Sequence, residues 1–394
     1  MSLRFAARME SVPRSFIREI LKVTQDSSII SFAGGLPNPD LFPVEAFAEA
    51  AARVITEDGA HVLQYATTEG YQPLREWIAA RYRDRQGLNV TADDIVITSG
   101  SQQGLDLMGK IFLNNGDTVI MESPGYLGAI QAFSMYGPKF VGVPLEDDGP
   151  DLDALERAVK DGARLFYAVT SFQNPSGLTY TREKRQAVAD ILKGTDVIFA
   201  EDNPYGELRF RGENVPPLYG LRPENSMLMG SFSKIAAPGF RLGWVATSPE
   251  IRQSLVTAKQ AADLHTGTVA QRIMYRYLMD NDIDQHIARI RERYGRQGRA
   301  MLAAAEAYFP EEVKVTRPEG GMFLWAELPT KRPIMELFDA AIARKVAFVP
   351  GKPFYVDGGG DNTMRLNFSN ASEEVIDEGM KRLGECIKAH LAGK

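Results

Sequence analysis

The chain has 394 residues, 44% of them hydrophobic and 24% charged; such proportions belong to a packed globule, and at about 150 residues per domain the length suggests two domains. Forty-five Lys and Arg against 51 Asp and Glu leave a net charge of −6, which gives no electrostatic footprint for nucleic acid. No run approaches the roughly 18 uninterrupted apolar residues of a membrane span, and the single Cys386 admits no internal disulfide, so a cytoplasmic protein is expected.

In the first 22 residues Arg4, Arg8, Arg14, Arg18 and Lys22 stand among apolar residues in the manner of a transit peptide, but Glu10 and Glu19 argue against one. From Ser11 onward Phe16, Ile17, Ile20 and Leu21 recur at helical spacing, which predicts an amphipathic arm packed on the body. Glycines and prolines between Ala33 and Asp40 mark a long turn. Helix resumes near Pro43 with Phe47, Ala51, Val54 and Ile55 on one stripe, and Gly59 is the expected stop.

Seven short apolar runs follow, at residues 95–98, 118–121, 140–143, 165–169, 197–200, 227–230 and 242–246. None alternates strictly, so they read as strands covered on both faces. Helix-like segments at 101–112 and 181–192 lie between them, which makes the pattern βαβ. The predicted fold is α/β: a mostly parallel seven-stranded sheet flanked by helices, joined to a smaller α+β domain. A long charged helix over about 270–303, a strand near 321–328 and a terminal helix carrying Val375, Gly379, Leu383 and Ile387 supply the smaller part. The expected division is an arm with part of the small domain at 1–44, a large domain at 45–285 and the small domain at 286–394. His61, His265, His286 and His390 form no pair at helical spacing, and no metal is assigned.

In a parallel sheet the ligand belongs at the carboxyl ends of the strands. Ser99-Gly100-Ser101-Gln102-Gln103-Gly104 follows the first run and opens a helix, whose free N–H groups suit a phosphate. Glu122 lies about where a ribose-binding acid would stand, but the glycine spacing is G-x-x-x-G and lacks the close pair of a dinucleotide loop. Asn174, in a turn after the fourth run, can donate to an oxyanion; Asp202, after the fifth, can keep a heteroaromatic nitrogen protonated. Gly230-Ser231-Phe232-Ser233-Lys234 with Arg241 sets an amine beside an anion site. Ser231-x-x-Lys234 also has the form of a serine acyl-enzyme motif, yet of the S-D-N-like and K-T-G-like elements that should follow it only His265-Thr266-Gly267 faintly offers the second, and that reading is discarded.

These residues stand in seven ordered motifs: Ser31-Phe32-Ala33-Gly34-Gly35-Leu36-Pro37, Gln64-Tyr65 with Thr68-Glu69-Gly70-Tyr71, Ser99 to Gln103, Asn174-Pro175-Ser176-Gly177, Asp202-Asn203-Pro204-Tyr205, Ser231 to Lys234, and Met364-Arg365-Leu366-Asn367-Phe368. In them the chain resembles the fold-type I pyridoxal phosphate aminotransferases of class I and II, whose large domain is aspartate aminotransferase-like, and within them the 2-aminoadipate and kynurenine branch. The resemblance runs from Ser15 to the last helix. It implies pyridoxal 5'-phosphate as cofactor, with Lys234 as the Schiff-base lysine that also moves the proton. It further implies Asp202 at the pyridinium nitrogen, Asn174 and Tyr205 at the 3' oxygen, and Tyr126 stacked on the ring. Gly100, Ser101, Gln102, Ser231, Ser233 and Arg241 would hold the phosphate, with Tyr65 reaching the phosphate of the neighbouring subunit in a homodimer. Arg365 would take the substrate α-carboxylate beside Gly35 and Asn174, and Arg18 would meet an acidic side chain. The implied reaction moves an amino group from an L-amino acid (2-aminoadipate, glutamate, aromatic or branched) to a 2-oxo acid, 2-oxoglutarate in the first place. A β-lyase or decarboxylase on the same fold, and an aminotransferase-like ligand-sensing regulator, are the alternatives.

Overall fold

The computed structural model describes residues 3, 5–6, 8–12, 20, 26 and 28–393. Most of the expected arm, Arg18 included, lies outside the described residues. Within it Arg8–Ser11 is helical and Ile20 is buried.

Ile30–Ser31 forms β1, and the large sheet follows as β2 (Ile95–Thr98), β3 (Thr118–Ser123), β4 (Lys139–Glu146), β5 (Gly149–Pro150), β6 (Leu165–Ala168), β7 (Ile198–Asp202), β8 (Ser226–Ser231) and β9 (Gly243–Thr247). Its order is β2-β9-β8-β7-β6-β3-β4-β5. Contacts β7–β8, β6–β7, β3–β6 and β3–β4 are parallel, whereas β9 runs antiparallel to both neighbours. The seven apolar runs are seven of its strands. The eighth, β5, was not anticipated, because a Gly-Pro pair carries no strand signal; proline is tolerated there because β5 is the edge. Six of the runs are buried on both faces, as expected. The exception is β4, whose residues are largely exposed or half-buried, since only two residues of sheet lie beyond it.

The helix after the long turn spans Val44–Val62, burying Phe47, Ala50 and Val54 while Ile55 faces solvent; it kinks at Asp58, where the backbone leaves helical geometry beside the expected stop at Gly59. Ser101–Phe112 and Arg182–Leu192 are helices as predicted, the second capped by the Thr181 hydroxyl, which accepts from the Lys184 N–H. The long charged segment is two helices, Thr268–Asp280 and Ile283–Tyr308. They break at Asp282, whose carboxylate accepts the N–H groups of Asp284 and Gln285 and so starts the second.

The smaller sheet is antiparallel, ordered β10 (Lys314–Val315), β11 (Phe323–Glu327), β14 (Thr363–Asn367), β13 (Val349–Pro350). β1 pairs in parallel with β12 (Val346–Ala347), tying the early chain to this late unit. The terminal helix Glu373–Leu391 buries Gly379, Leu383 and Ile387 and leaves Val375 outside. No helix among the described residues is long and apolar enough to cross a membrane.

Because β9 is antiparallel to both neighbours, β2 runs in the same direction as β3, β4, β6, β7 and β8. The carboxyl ends of these strands therefore open on one edge of the sheet, and the loops leaving them build the site.

Candidate active site

Lys234 lies just past β8, and its Nζ donates to the Gly35 carbonyl at 2.9 Å. Loss of water, followed by the charges of Arg365 and Arg241, pushes this amine down to about 8. Asp202 ends β7 and is 2% exposed. Its Oδ2 accepts from the Tyr167 hydroxyl at 2.8 Å, and its Oδ1 is buried without a partner among the described residues. Burial pushes this carboxyl up to about 7 against that one hydrogen bond.

The turn after β6 brings in Asn174, whose amide stands 3.5 Å from the Tyr205 hydroxyl and whose Oδ1 accepts from Arg365 Nη1 at 2.8 Å. Arg365, in the middle of β14, also donates Nη2 to the Ala33 carbonyl. Its guanidinium lies 4.5 Å from the Phe323 ring centroid and 5.6 Å from that of Phe354. Burial pushes even this group down to about 10.

Gly100 caps the helix Ser101–Phe112 with φ of 75°, and the space a Cβ would need there is filled by the Arg241 guanidinium. Arg241 itself holds a left-handed φ of 52°, an uncommon conformation that its surroundings must enforce. The Ser101 hydroxyl is buried and unpartnered among the described residues. Ser231 accepts the Ser233 N–H at 3.1 Å. Together these form a cup of backbone N–H groups, hydroxyls and one guanidinium.

Lys234, Asp202, Asn174, Arg365, Ser101, Ser231, Ser233 and Arg241 line one cleft of about 340 Å³, whereas Gly100, Tyr167, Phe323 and Phe354 stand outside its lining. Gly35, Gln102, Tyr126, Asp202 and Tyr205 are on its wall, and Leu36, Pro37, Val169, Pro204 and Pro238 complete it. Tyr65 is not brought in: it is 79% exposed, its ring edge-on to His265 at 5.7 Å. Glu122 takes no part either. It is buried under the sheet edge and accepts from the Val169 N–H, the Gln173 amide and the Tyr180 hydroxyl, which anchors the Asn174 turn.

Sequence reasoning missed Tyr167, Phe323 and Phe354. The only trace of Tyr167 was a hydroxyl in the middle of an otherwise apolar strand.

Residues 29–383 match the family model described as aminotransferase class I and II. The chain belongs to this family. An aromatic-amino-acid aminotransferase of Thermococcus litoralis is 44% identical to it, over 98% of this chain and 94% of the relative. A 2-aminoadipate transaminase of Thermus thermophilus is also 44% identical, over 97% and 96%. The solved structure of LysN, an α-aminoadipate aminotransferase from Thermus thermophilus complexed with N-(5'-phosphopyridoxyl)-L-leucine, superposes with a TM-score of 0.92 at 42% identity, covering 99% of this chain and 98% of that one.

The fold is accordingly the aspartate aminotransferase-like fold type I, the activity is transamination and the cofactor is pyridoxal phosphate. The donor set of this aminotransferase fits that cofactor. An unpartnered buried carboxylate oxygen suits a protonated ring nitrogen, an unpartnered buried hydroxyl in a cationic cup at a helix N-terminus suits a phosphate, and an amine already near neutrality suits an aldehyde.

Proposed function

We propose that this aminotransferase runs both halves of its reaction in the one cleft, taking the amino group from a 2-aminoadipate, glutamate, aromatic or branched L-amino acid and passing it to a 2-oxo acid, which is 2-oxoglutarate for every donor other than glutamate. The observation that carries the reading is the convergence of Lys234, its amine lowered by burial, the free oxygen of Asp202 and the guanidinium of Arg365 on one cavity. Bound there, pyridoxal phosphate supplies a sink for the electrons left when the substrate Cα–H bond breaks.

Lys234 anchors the cofactor and afterwards carries the proton on Nζ, because an amine with a pKa near 8 is able both to accept and to release it at neutral pH. Asp202 holds the ring nitrogen protonated, Asn174 and Tyr205 meet the 3' oxygen, and Tyr126 covers the ring face. Gly100, Ser101, Gln102, Ser231, Ser233 and Arg241 take the phosphate. Arg365, fixed between two rings and the Asn174 amide, presents its guanidinium to the α-carboxylate beside Gly35. Leu36 and Pro37 give the side-chain end of the cleft an apolar wall, which suits aromatic and branched donors, and Arg18 is proposed to meet acidic ones.

Tyr65, exposed and outside its own cleft, is proposed to complete the phosphate site of a second subunit in a homodimer. The cytoplasm remains the proposed compartment, in keeping with the lone buried Cys386. The division at residues 45 and 286 is also kept as a proposal, supported by the sheets: the large one lies within residues 95–247 and the smaller within 314–367.

The test is a panel of amino acids incubated with the purified enzyme, pyridoxal phosphate and 2-oxoglutarate, with glutamate and the new oxo acid both measured. Equal amounts of the two from at least one donor support the reading. Oxo acid and ammonia without glutamate would point to a β-lyase, and no turnover with any common amino acid would overturn the proposal.

A further inference from the structure

Tyr167 has no part in the roles assigned above. It lies in β6 with no exposed surface, paired in register with Ala200 of β7. Asp202, two residues further along β7, faces the same side of the sheet. The Tyr167 ring is held edge-on to Phe133 at 5.9 Å, with an interplanar angle of 74°. Its hydroxyl points at Asp202 Oδ2, 2.8 Å away.

Two consequences follow from a carboxylate held by one oxygen only. Rotation about its Cβ–Cγ bond is stopped, so the unpartnered Oδ1 stays at the cleft wall. The ionised form is also favoured, because a hydroxyl donor stabilises negative charge on the oxygen it meets. Nothing else among the described residues gives Asp202 a side-chain donor. Glu122 on β3, Tyr126 and Tyr205 share its surroundings, and Lys234, Arg241 and Arg365 line the same cleft. Burial holds the tyrosine hydroxyl far above its usual range, so it remains a donor at every working pH.

We propose that Tyr167 is a positioning residue of the aminotransferase, holding Asp202 ionised and turned so that its free oxygen meets the nitrogen of the cofactor ring. The inference rests on the reading of Asp202 as the acid at that nitrogen.

Tyr167→Phe keeps the packed ring and removes only the donor. In the cofactor-free protein labelled at the aspartate carboxyl carbons, with Asp202→Asn used to assign the resonance, the substitution moves the Asp202 carbon-13 titration up by about one pH unit, a tenfold change in its ionisation. Titration of the same variant with pyridoxal phosphate shows binding weakened about tenfold near pH 7, as expected for a lost hydrogen bond to a charged group. The weakening shrinks toward pH 9, where Asp202 ionises unaided, and does not add to that of Asp202→Asn. An unmoved Asp202 titration, a loss of affinity equal at all pH values, or a loss additive with Asp202→Asn overturns the proposal. The carbon-13 titration needs no cofactor, so its failure counts against Tyr167 alone. A wild-type chain that binds no pyridoxal phosphate would count against the roles assigned to the cleft.

Discussion

Taking an ammonium and a carboxyl out of water moves both toward their neutral forms, and the two reactive groups of this cleft show it in opposite directions: Lys234 comes down to about 8 and Asp202 goes up to about 7. Lys234→Ala removes the proposed proton carrier, and turnover of any donor with 2-oxoglutarate should fall by about a thousandfold or more in a coupled glutamate assay. Asp202 carries a cost that can be measured without substrate. Its carboxyl ionises near 4 in the unfolded chain and near 7 in the fold, so the unfolded state binds fewer protons between those values and stability falls as pH rises through that window. Three units at about 1.4 kcal/mol each set an upper bound of about 4 kcal/mol on this cost above pH 7. Asp202→Asn still accepts from Tyr167 and carries no charge. Urea unfolding of the cofactor-free protein at pH 8 should therefore show the variant more stable than wild type, with the gain vanishing near pH 4, while transamination drops by at least about a hundredfold.

Elements set where those groups stand. The helix Ser101–Phe112 begins on a glycine because φ is positive there and the Arg241 guanidinium occupies the place of a side chain. Gly100→Ala should push Arg241 out of the cup and weaken pyridoxal phosphate binding by about tenfold, read by absorbance titration, with little change in helix content. Glu201 in β7 accepts from the Leu218 and Tyr219 N–H groups and from Thr170, and pairs with Arg185 at 3.4 Å, with both side chains buried. Arg185 in turn donates to the Thr170 carbonyl and the Ser171 hydroxyl, so one pair steadies the exits of both β6 and β7. Glu201→Ala strands the guanidinium and should cost about 3–5 kcal/mol in urea unfolding, far more than an exposed pair would.

At the scale of the whole molecule, the cleft is assembled from segments distant in the chain. Lys234 reaches a carbonyl 199 residues away, and Arg365 reaches Asn174 and Ala33 across 191 and 332 residues. In the proposed homodimer the exposed Tyr65 belongs to the site of a second subunit. Sedimentation should give twice the chain mass of 43.6 kDa. Tyr65→Ala should weaken pyridoxal phosphate binding by about tenfold without altering Lys234 or Asp202. A monomer that retains full cofactor affinity would count against the shared site.

The sequence by itself determined which segments become strands and helices and which strand ends carry chemistry. Burial on both faces leaves an apolar run, a strand end needs its turn residues, and both signals are local. Seven of the eight large-sheet strands, the helix at 101–112 and the loops bearing Asn174, Asp202 and Lys234 were legible on that ground. The tertiary structure alone decided the strand order, the edge strand β5, the Tyr167 hydroxyl on Asp202 and the two rings around Arg365. These depend on which residues meet across a sheet or between units, and a meeting between side chains far apart in the chain leaves no periodicity at either end.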